Sequence, residues 1–371
     1  MRRRRAALVG FVLLVGVLVT ALVISDLRGD GAHEGVAQVP PSRAPSPSSS
    51  PAVSSSGPPA AFGVTPAGAA APVWPSDLIV PSERSFKADQ IERLPYAPEV
   101  VFFGGSRSMR FEPAFMEEKT GLKGFNLAMT NGKPEDAWVF AHFLHDRSPR
   151  TKLRWVWGVQ VSTMYERDLE AGLIQDPRLN RYLPLDLLVE QGRSLPRTPE
   201  EVPKVARTDL RRYGRDGVVL SNSYDRAEAQ GRTLERSLEV YIKRALAKQQ
   251  QAPGRSVEKR SRSRDYFEAT LGYLDAIGGE AVIIAMPVHP EALEALREHG
   301  WQDRHERFLA YIRSLRDKYD VRFIDLSEIE SFGGDPEEFY DGVHIKAANA
   351  RRVITKLVRT FPETFSRDVG G

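Results

Sequence analysis

Two distant parts of the sequence carry residues that together can perform nucleophilic catalysis. Ser106 follows two glycines at the end of an apolar run, residues 100–103, and Asp341 and His344 lie three positions apart in the late stretch FYDGVHIK. A serine becomes a nucleophile when a histidine accepts its proton, and a carboxylate on the other ring nitrogen holds the required tautomer. The spacing of Asp341 and His344 suits that pairing, because it brings a carboxylate beside an imidazole within one turn.

Each half of this pattern also has a simpler interpretation. A Gly-Gly-Ser sequence forms plain turns, and Asp341 could cap the helix that follows it. A phosphate-binding loop would need a lysine and a second glycine that are missing after Ser106. The nucleophile-elbow pattern G-x-S-x-G is also not met, because Ser108 stands where its last glycine would be.

Other polar residues could take part in binding. His289 lies after an apolar run, in AMPVHP, and could line a substrate crevice, although the neighbouring prolines suit a turn. Arg107 could bind an anionic substrate or pair with a buried acid. His142 and His145 lie three apart on a predicted helix and could ligate a metal, but a pair without a third ligand is typical of a helix surface. No metal or other cofactor is therefore expected.

The elements that would position these residues follow an α/β pattern. Short apolar runs alternate with amphipathic ones, which predicts a three-layer, doubly wound, mainly parallel sheet. Predicted strands cover residues 100–103, 124–127, 153–158, 281–286 and 321–324. Predicted helices cover residues 134–143, 232–249, 264–277, 290–298, 303–318 and 346–361. Ligands bind beyond the carboxyl ends of parallel strands, which is where Ser106 lies.

The N-terminal part predicts a membrane-attached protein. Residues 1–5 form a basic cytoplasmic tail, and residues 6–25 are uncharged over about 30 Å of helix, enough for one transmembrane signal anchor. A cleaved signal peptide is the alternative. Residues 26–75 are rich in Pro, Ser and Ala and predict a disordered linker, which places a domain of residues 76–371 outside the cytoplasm. Within that domain, residues 165–256 predict a helical insertion, either a lid or a solvated elaboration.

Composition excludes several classes of protein. The formal net charge is +3, and four consecutive arginines at the N-terminus account for more than that, so bulk charge does not favour nucleic-acid binding. The chain has no cysteine, which excludes disulfides and a lipidated cysteine anchor. The exported domain therefore depends on core packing for its stability.

Three stretches together resemble the SGNH (GDSL-type) hydrolase superfamily. They read GGSRSMRFEP, FNLAMTNGKPED and YDGVHIKAANARRV, and within that superfamily they are similar to the membrane-anchored branch related to the alginate O-acetylation and D-alanine transfer proteins. The likeness covers residues 97–163 and 281–361. It implies an SGNH, flavodoxin-like fold, with Ser106 as nucleophile, His344 as base and Asp341 as the residue that orients it.

The resemblance also implies an oxyanion hole. In such enzymes the donors are the nucleophile's own N–H, a glycine N–H of the second stretch and an asparagine side chain of a further stretch, which here reads WVWGVQVSTM. Here the glycine position carries Asn131, followed by Gly132, and the asparagine position carries Gln160. An asparagine tolerates left-handed backbone geometry, and a glutamine offers the same amide donor on a longer side chain.

These features predict a membrane-anchored, extracytoplasmic serine esterase or O-acyltransferase, and the resemblance implies that its substrates are acyl esters of a cell-surface polysaccharide or envelope polymer. The resemblance further implies a multi-spanning membrane acyltransferase as a partner. An alternative is a catalytically inactive protein of the same fold that binds glycan or that partner, since Asn131 and Gln160 depart from the family pattern. A metal-dependent hydrolase using His142 and His145 is a third alternative.

Overall fold

A five-stranded, fully parallel sheet forms the centre of the protein. The computed structural model describes residues 73–203, 211–251 and 259–367. The sheet strands are β1 (Val100–Gly104), β2 (Gly124–Asn126), β3 (Arg154–Val159), β6 (Glu280–Ala285) and β7 (Val321–Asp325), in the order β2-β1-β3-β6-β7. Strands β4 (Arg212–Tyr213) and β5 (Val219–Ser221) form a separate antiparallel pair.

Helices connect the strands. Their bounds are α1 (Glu83–Glu92), α2 (Pro113–Thr120), α3 (Pro134–Arg147), α4 (Ala171–Gln175), α5 (Pro177–Asn180), α6 (Leu185–Gly192), α7 (Ser223–Ala229), α8 (Leu234–Gln251), α9 (Arg262–Ala276), α10 (Pro290–Arg297), α11 (Trp301–Ser314) and α12 (Ala347–Thr360). Short 3-10 helices include Ser106–Ser108 after β1 and Val161–Met164 after β3. Prolines open α2, α3, α5 and α10, where the missing N–H costs nothing.

Alternating strand residues build a core on each face of the sheet. Phe103, Trp155 and Trp157 point to the face covered by α1, α3, α9 and α11, and all three are fully buried. Phe102 and Val156 point to the opposite face, which α2 and α12 cover. The result is a three-layer α/β arrangement, compatible with a flavodoxin-like fold, in which strands buried on both faces read as continuous apolar runs. Trp155 and Trp157 therefore belong to the core.

The predicted order of elements agrees closely with the structure. All five predicted sheet strands are present, with ends that differ by a residue or two, and so are the six predicted helices. The helix predicted over residues 303–318 begins earlier, at Trp301, and its last turn is the 3-10 helix Leu315–Asp317. Helices α1 and α2 were not anticipated. The anchor and tail predicted over residues 1–25, and the predicted linker up to residue 72, lie outside the described residues.

The segment of residues 165–256 is not wholly helical. It contains α4 to α8, but also the β4–β5 hairpin, which the charged sequence did not reveal. The hairpin is tied to the sheet, since Asn126 N donates to the carbonyl of Asp216 at 2.7 Å and Val219 N donates to that of Met109 at 3.1 Å. This part of the insertion therefore lies against the carboxyl end of the sheet.

None of the helices in the described ranges has the length and hydropathy that crossing a membrane requires.

Candidate active site

The strand order places a crevice between the ends of β1 and β3. The chain passes from β1 to β2 on one side and then to β3 on the other, and in open parallel sheets this reversal marks the ligand site. The register pairs Gly104 with Gly158, so Ser106 and Gln160 each follow two residues beyond a paired position. The parallel register thus brings the predicted nucleophile and the predicted amide donor to the same edge.

A tight turn presents Ser106 at this edge. Gly104 has φ 146°, and a Cβ there would lie 2.7 Å from the Gly158 carbonyl oxygen, so only glycine fits. The following 3-10 helix, Ser106–Ser108, is held by the buried side chain of Asn126. Its amide donates to the carbonyls of Ser108 at 3.0 Å and Phe111 at 2.7 Å. The close contact at Gly104 and the hydrogen bonds from Asn126 therefore both fix residues 104–111, which we call the nucleophile loop.

Ser106, His344 and Asp341 form one hydrogen-bonded chain. Ser106 Oγ lies 2.8 Å from His344 Nε2, and His344 Nδ1 lies 2.9 Å from Asp341 Oδ2. A serine on one ring nitrogen and a carboxylate on the other is the arrangement of a hydrolytic triad. His344 and Asp341 keep only 16% and 12% of their side-chain surface exposed, so solvent competes weakly for these hydrogen bonds.

Asp341 and His344 lie on a closed loop just before α12. Phe339 and Ile345 pair as an antiparallel bridge, and Tyr340 N donates to the His344 carbonyl at 2.8 Å. Asp341 Oδ1 also accepts the N–H groups of Val343 and His344, both at 2.9 Å. The carboxylate is thus fixed by the backbone of its own loop before it orients the imidazole.

The environment of Asp341 favours its charged form. Burial alone would raise the pKa of this carboxyl, but the neighbouring His344 and the two backbone N–H donors outweigh burial and lower the pKa below its ordinary value. Asp341 therefore stays ionised at neutral pH. An ionised carboxylate is what stabilises an imidazolium when His344 accepts a proton.

The expected oxyanion residues line a pocket next to Ser106. This pocket, of about 180 Å³, is bordered by Ser106, Asn131, Gly132, Gln160 and His344. Among the described residues, Asn131 is the one non-glycine with positive φ, at 50°, so the asparagine does adopt the left-handed geometry that its type allows.

Gly132 and Asn131 have different parts in this pocket. Gly132 N donates to the Met129 carbonyl at 3.1 Å, and a Cβ on Gly132 would lie 2.2 Å from the Gly104 carbonyl oxygen. Gly132 therefore permits close packing against the nucleophile loop, while its N–H is used within a turn. Within the described chain the N–H of Asn131 has no such intramolecular acceptor, which leaves it as the available backbone donor.

A buried ionic cluster supports the Asn131 loop, and sequence reasoning missed it because its cation comes from the unpredicted helix α1. Arg84 makes two hydrogen bonds to Asp136, at 3.0 and 2.9 Å, and a third, at 3.3 Å, to the carbonyl of Asn131. Glu83 accepts the N–H of Thr130 at 2.8 Å. Both partners of the Arg84–Asp136 pair are buried, and Arg84 also binds the carbonyl of Asn131, so the pair fixes the position of the Asn131 loop.

The two other predicted binding residues have different positions. Arg107 is half-buried and lines the pocket. Desolvation lowers the pKa of its guanidinium, an effect that the nearby Tyr241 and Asp341 partly offset. His289 is not among the pocket-lining residues. It is buried, caps α10 by accepting the N–H of Glu291 at 3.3 Å, and donates its own backbone N–H to Gly342.

A second serine, histidine and aspartate also meet at the end of β7. Ser327 Oγ and Asp325 Oδ2 lie 3.1 and 3.3 Å from His305, but both contact the same nitrogen, Nε2. A triad needs the serine and the carboxylate on opposite ring nitrogens. His305 is also buried and stacked on Trp301, so this group is part of the packing between α11 and the end of β7.

The structure gives His142 and His145 a packing role. His142 is buried, stacks on Tyr273 with ring centroids 3.6 Å apart and hydrogen-bonds the Trp138 carbonyl. His145 meets the edge of the same Tyr273 ring. In the part of the chain that the structure describes, no three His, Asp or Glu side chains are grouped so as to hold a metal ion.

The insertion adds an aromatic residue that the sequence did not single out. Tyr224, on α7, places its hydroxyl oxygen 3.4 Å from His344 Nε2, and its ring lies 4.6 Å from the imidazole, centroid to centroid. No local motif marks this tyrosine, because its proximity to His344 arises only from the way the insertion folds back.

No protein-family model matches the chain, and no curated protein matches it significantly. The site therefore has to be interpreted from its own geometry.

Proposed function

We propose that this protein is a serine esterase or O-acyltransferase of the SGNH type. The observation that carries the proposal is the hydrogen-bonded chain from Ser106 through His344 to Asp341 at the switch point of the sheet. The parallel order β2-β1-β3-β6-β7, the glycine turn before Ser106 and the position of Asp341 and His344 before the last helix all support the SGNH assignment.

In the first half-reaction, Ser106 Oγ attacks the carbonyl carbon of an ester and His344 Nε2 takes the serine proton. The N–H groups of Ser106 and Asn131 and the amide of Gln160 stabilise the negative charge on the carbonyl oxygen. The bond from carbon to the alcohol oxygen then breaks, and His344 returns its proton to that oxygen. The products are the free alcohol and an acyl group on Ser106.

In the second half-reaction, a hydroxyl group attacks the acyl-serine while His344 removes its proton. When the tetrahedral intermediate collapses, Ser106 leaves and regains the proton from His344. Water as the attacking group gives hydrolysis, and an alcohol gives acyl transfer. Asp341 stays ionised throughout and stabilises the imidazolium.

The substrate proposal rests on the resemblance and on the N-terminal sequence. An apolar anchor followed by a Pro- and Ser-rich linker would hold the domain outside the cytoplasm, near acylated polysaccharide or another envelope polymer. A multi-spanning membrane acyltransferase would supply acyl groups there, because acyl donors are made in the cytoplasm. An inactive protein that binds glycan or such a partner is the competing proposal, favoured by Asn131 and Gln160 at the family's glycine and asparagine positions.

Ester hydrolysis by the purified full-length chain separates the two proposals. We expect the wild type to hydrolyse a short-chain aryl ester and Ser106→Ala to lose that activity. Ser327→Ala is the matched control, since it removes a serine hydroxyl bonded to the buried His305. A folded wild type without activity, or equal activity in Ser106→Ala, would contradict the catalytic proposal.

A further inference from the structure

The insertion completes the surroundings of His344. Tyr224 Oη and Ser106 Oγ approach the same nitrogen, His344 Nε2, at 3.4 and 2.8 Å. The shorter contact is a good hydrogen bond, whereas the longer one exceeds the usual length for a phenol donor. Tyr224 therefore does not displace the serine in the resting site, but its hydroxyl lies beside the path that the histidine's proton takes.

Helix α7, which carries Tyr224, is firmly anchored. Asn222 caps it by accepting the N–H groups of Tyr224 at 2.9 Å and Asp225 at 3.3 Å, and Asp225 accepts the N–H of Asn222 at 2.7 Å. A capping box of this kind fixes the start of a helix. Lys346, just before α12, forms an ion pair with Glu228 at 2.7 Å.

A second set of contacts joins α7 to both loops of the triad. Arg110, four residues after the nucleophile, donates to Asp225, to the Tyr340 hydroxyl at 2.8 Å and to the Val219 carbonyl at 2.7 Å. Tyr340, which precedes Asp341, donates to Asp225 at 2.5 Å. Tyr224 is thus held relative to Ser106 and His344 by the same network, and it is part of the assembled site.

Acyl transfer places a further oxygen at His344 Nε2. The oxygen of the departing alcohol receives its proton from this nitrogen, and the oxygen of the attacking alcohol gives its proton to it. Such an oxygen and the Tyr224 hydroxyl, which lies 3.4 Å from Nε2, are then neighbours of the same nitrogen. A phenol O–H there can donate to the alcohol oxygen as negative charge develops on it.

We propose that Tyr224 is a further catalytic residue, which donates a hydrogen bond to the alcohol oxygen of the ester as the carbon–oxygen bond breaks. The inference rests on the acyl-transfer function proposed above. His344 transfers the proton, and Tyr224 keeps its own, so no proton is gained or lost at the phenol. The insertion thereby supplies the alcohol side of the site, and Gln160 and Asn131 supply the carbonyl side.

The experiment compares Tyr224→Phe with the wild type on two acetate esters. With ethyl acetate the leaving alkoxide is strongly basic and needs stabilisation, so we expect kcat/KM to fall about tenfold when one hydrogen bond is lost. With 4-nitrophenyl acetate the leaving phenolate is stable, so kcat/KM changes by less than about twofold. Labelling of Ser106 by a fluorophosphonate, where fluoride leaves, serves as the measure of an intact nucleophile.

Tyr311→Phe is the control, because it removes the phenol of a partly buried tyrosine on α11 that donates to Glu268 of α9 at 3.1 Å and has no member of the triad as its partner. An equal loss on both esters with slower labelling would show a merely structural role and overturn the inference. Unchanged activity on ethyl acetate would overturn it as well. Failure of the proposed function looks different, since the wild type itself would then not label at Ser106.

Discussion

Ser106 Oγ and His344 Nε2 lie 2.8 Å apart, although the residues are separated by 238 positions in the chain. Ser106 lies just beyond β1 and His344 lies in the loop before α12. The Asn126 side chain and the backbone of the Asp341 loop hold these two residues in place. Neither half of the pattern identifies a site alone. Together, beside a pocket that Asn131 and Gln160 line, Ser106, His344 and Asp341 have the arrangement of a hydrolytic triad.

Substitutions of Asn131 test whether its backbone N–H or its side-chain amide donates to the oxyanion. Because φ is 50°, Asn131→Gly should keep stability, whereas Asn131→Ala should lower the free energy of unfolding by about 1 kcal/mol. If the backbone N–H is the oxyanion donor, both variants retain kcat within about threefold of wild type. Urea unfolding and steady-state kinetics provide the two readouts. A loss of two or more orders of magnitude in Asn131→Gly would instead assign the role to the side-chain amide.

The Gln160 amide is expected to donate to the oxyanion. Gln160→Glu keeps the size but removes the N–H donor, and Gln160→Met does so without adding charge. Both should lower kcat by about two to three orders of magnitude with little change in KM, since the donor acts in the transition state. Gln160→Asn restores the residue that the resemblance predicts and should be the most active of the three. Full activity in Gln160→Met would exclude this amide from the oxyanion hole.

The buried Arg84–Asp136 pair should contribute to the free energy of unfolding. Arg84→Met leaves a buried carboxylate without its cation, so we expect a loss of about 3–5 kcal/mol in unfolding free energy. The double variant Arg84→Met, Asp136→Asn removes that charge and should recover part of the loss. Urea unfolding of the two single variants and the double variant measures the coupling. Additive effects would show that the pair does not act as a unit.

Lys87 predicts a pH dependence of stability. It is fully buried and donates to the carbonyls of Asn126 at 2.8 Å and Gly217 at 2.5 Å, and desolvation lowers its pKa to about 7 despite the nearby Glu83 and Asp216. Between that pKa and the ordinary value of a lysine, the unfolded chain binds more protons than the folded one. Stability contributed by this group therefore rises with pH over that window.

The measurement is the free energy of unfolding in urea at pH 6.5 and pH 9.5. Wild type should gain up to a few kcal/mol more between these pH values than Lys87→Met does. Lys87→Met should also be less stable throughout, because two buried carbonyls lose their donor. Lys119→Met, at an exposed position, should keep the wild-type difference. Identical pH profiles for wild type and Lys87→Met would contradict the assignment.

The elements most easily predicted from the sequence are the strands that are buried on both faces. Strands β1, β3 and β6 are covered on both faces, so they appear as uninterrupted apolar runs with clear ends. Ser106, just beyond β1, could then be placed at the edge of the sheet from the rule for parallel sheets, whereas Gln160, just beyond β3, was identified through the family resemblance. The residue type of Asn131 allowed the left-handed geometry that the structure shows there.

The remainder depends on long-range packing that no local pattern records. The Arg84 cluster joins α1 to the start of α3. Tyr224 reaches His344 from the insertion, whose sequence is consistent both with a lid and with a solvated elaboration. The hairpin strands β4 and β5 are only two and three residues long, too short for an alternation to be recognised. His289 was a candidate for lining the crevice because it follows a strand, and in the structure its ring caps α10.

The most direct test of the central claim is fluorophosphonate labelling of the purified full-length chain, with the modified residue located by peptide mass spectrometry. The account predicts one adduct, on Ser106, which is absent in Ser106→Ala and forms much more slowly in Asp341→Asn, because the histidine then loses its orienting carboxylate. A folded chain that forms no adduct, or one that is labelled equally after Ser106→Ala, would contradict the account.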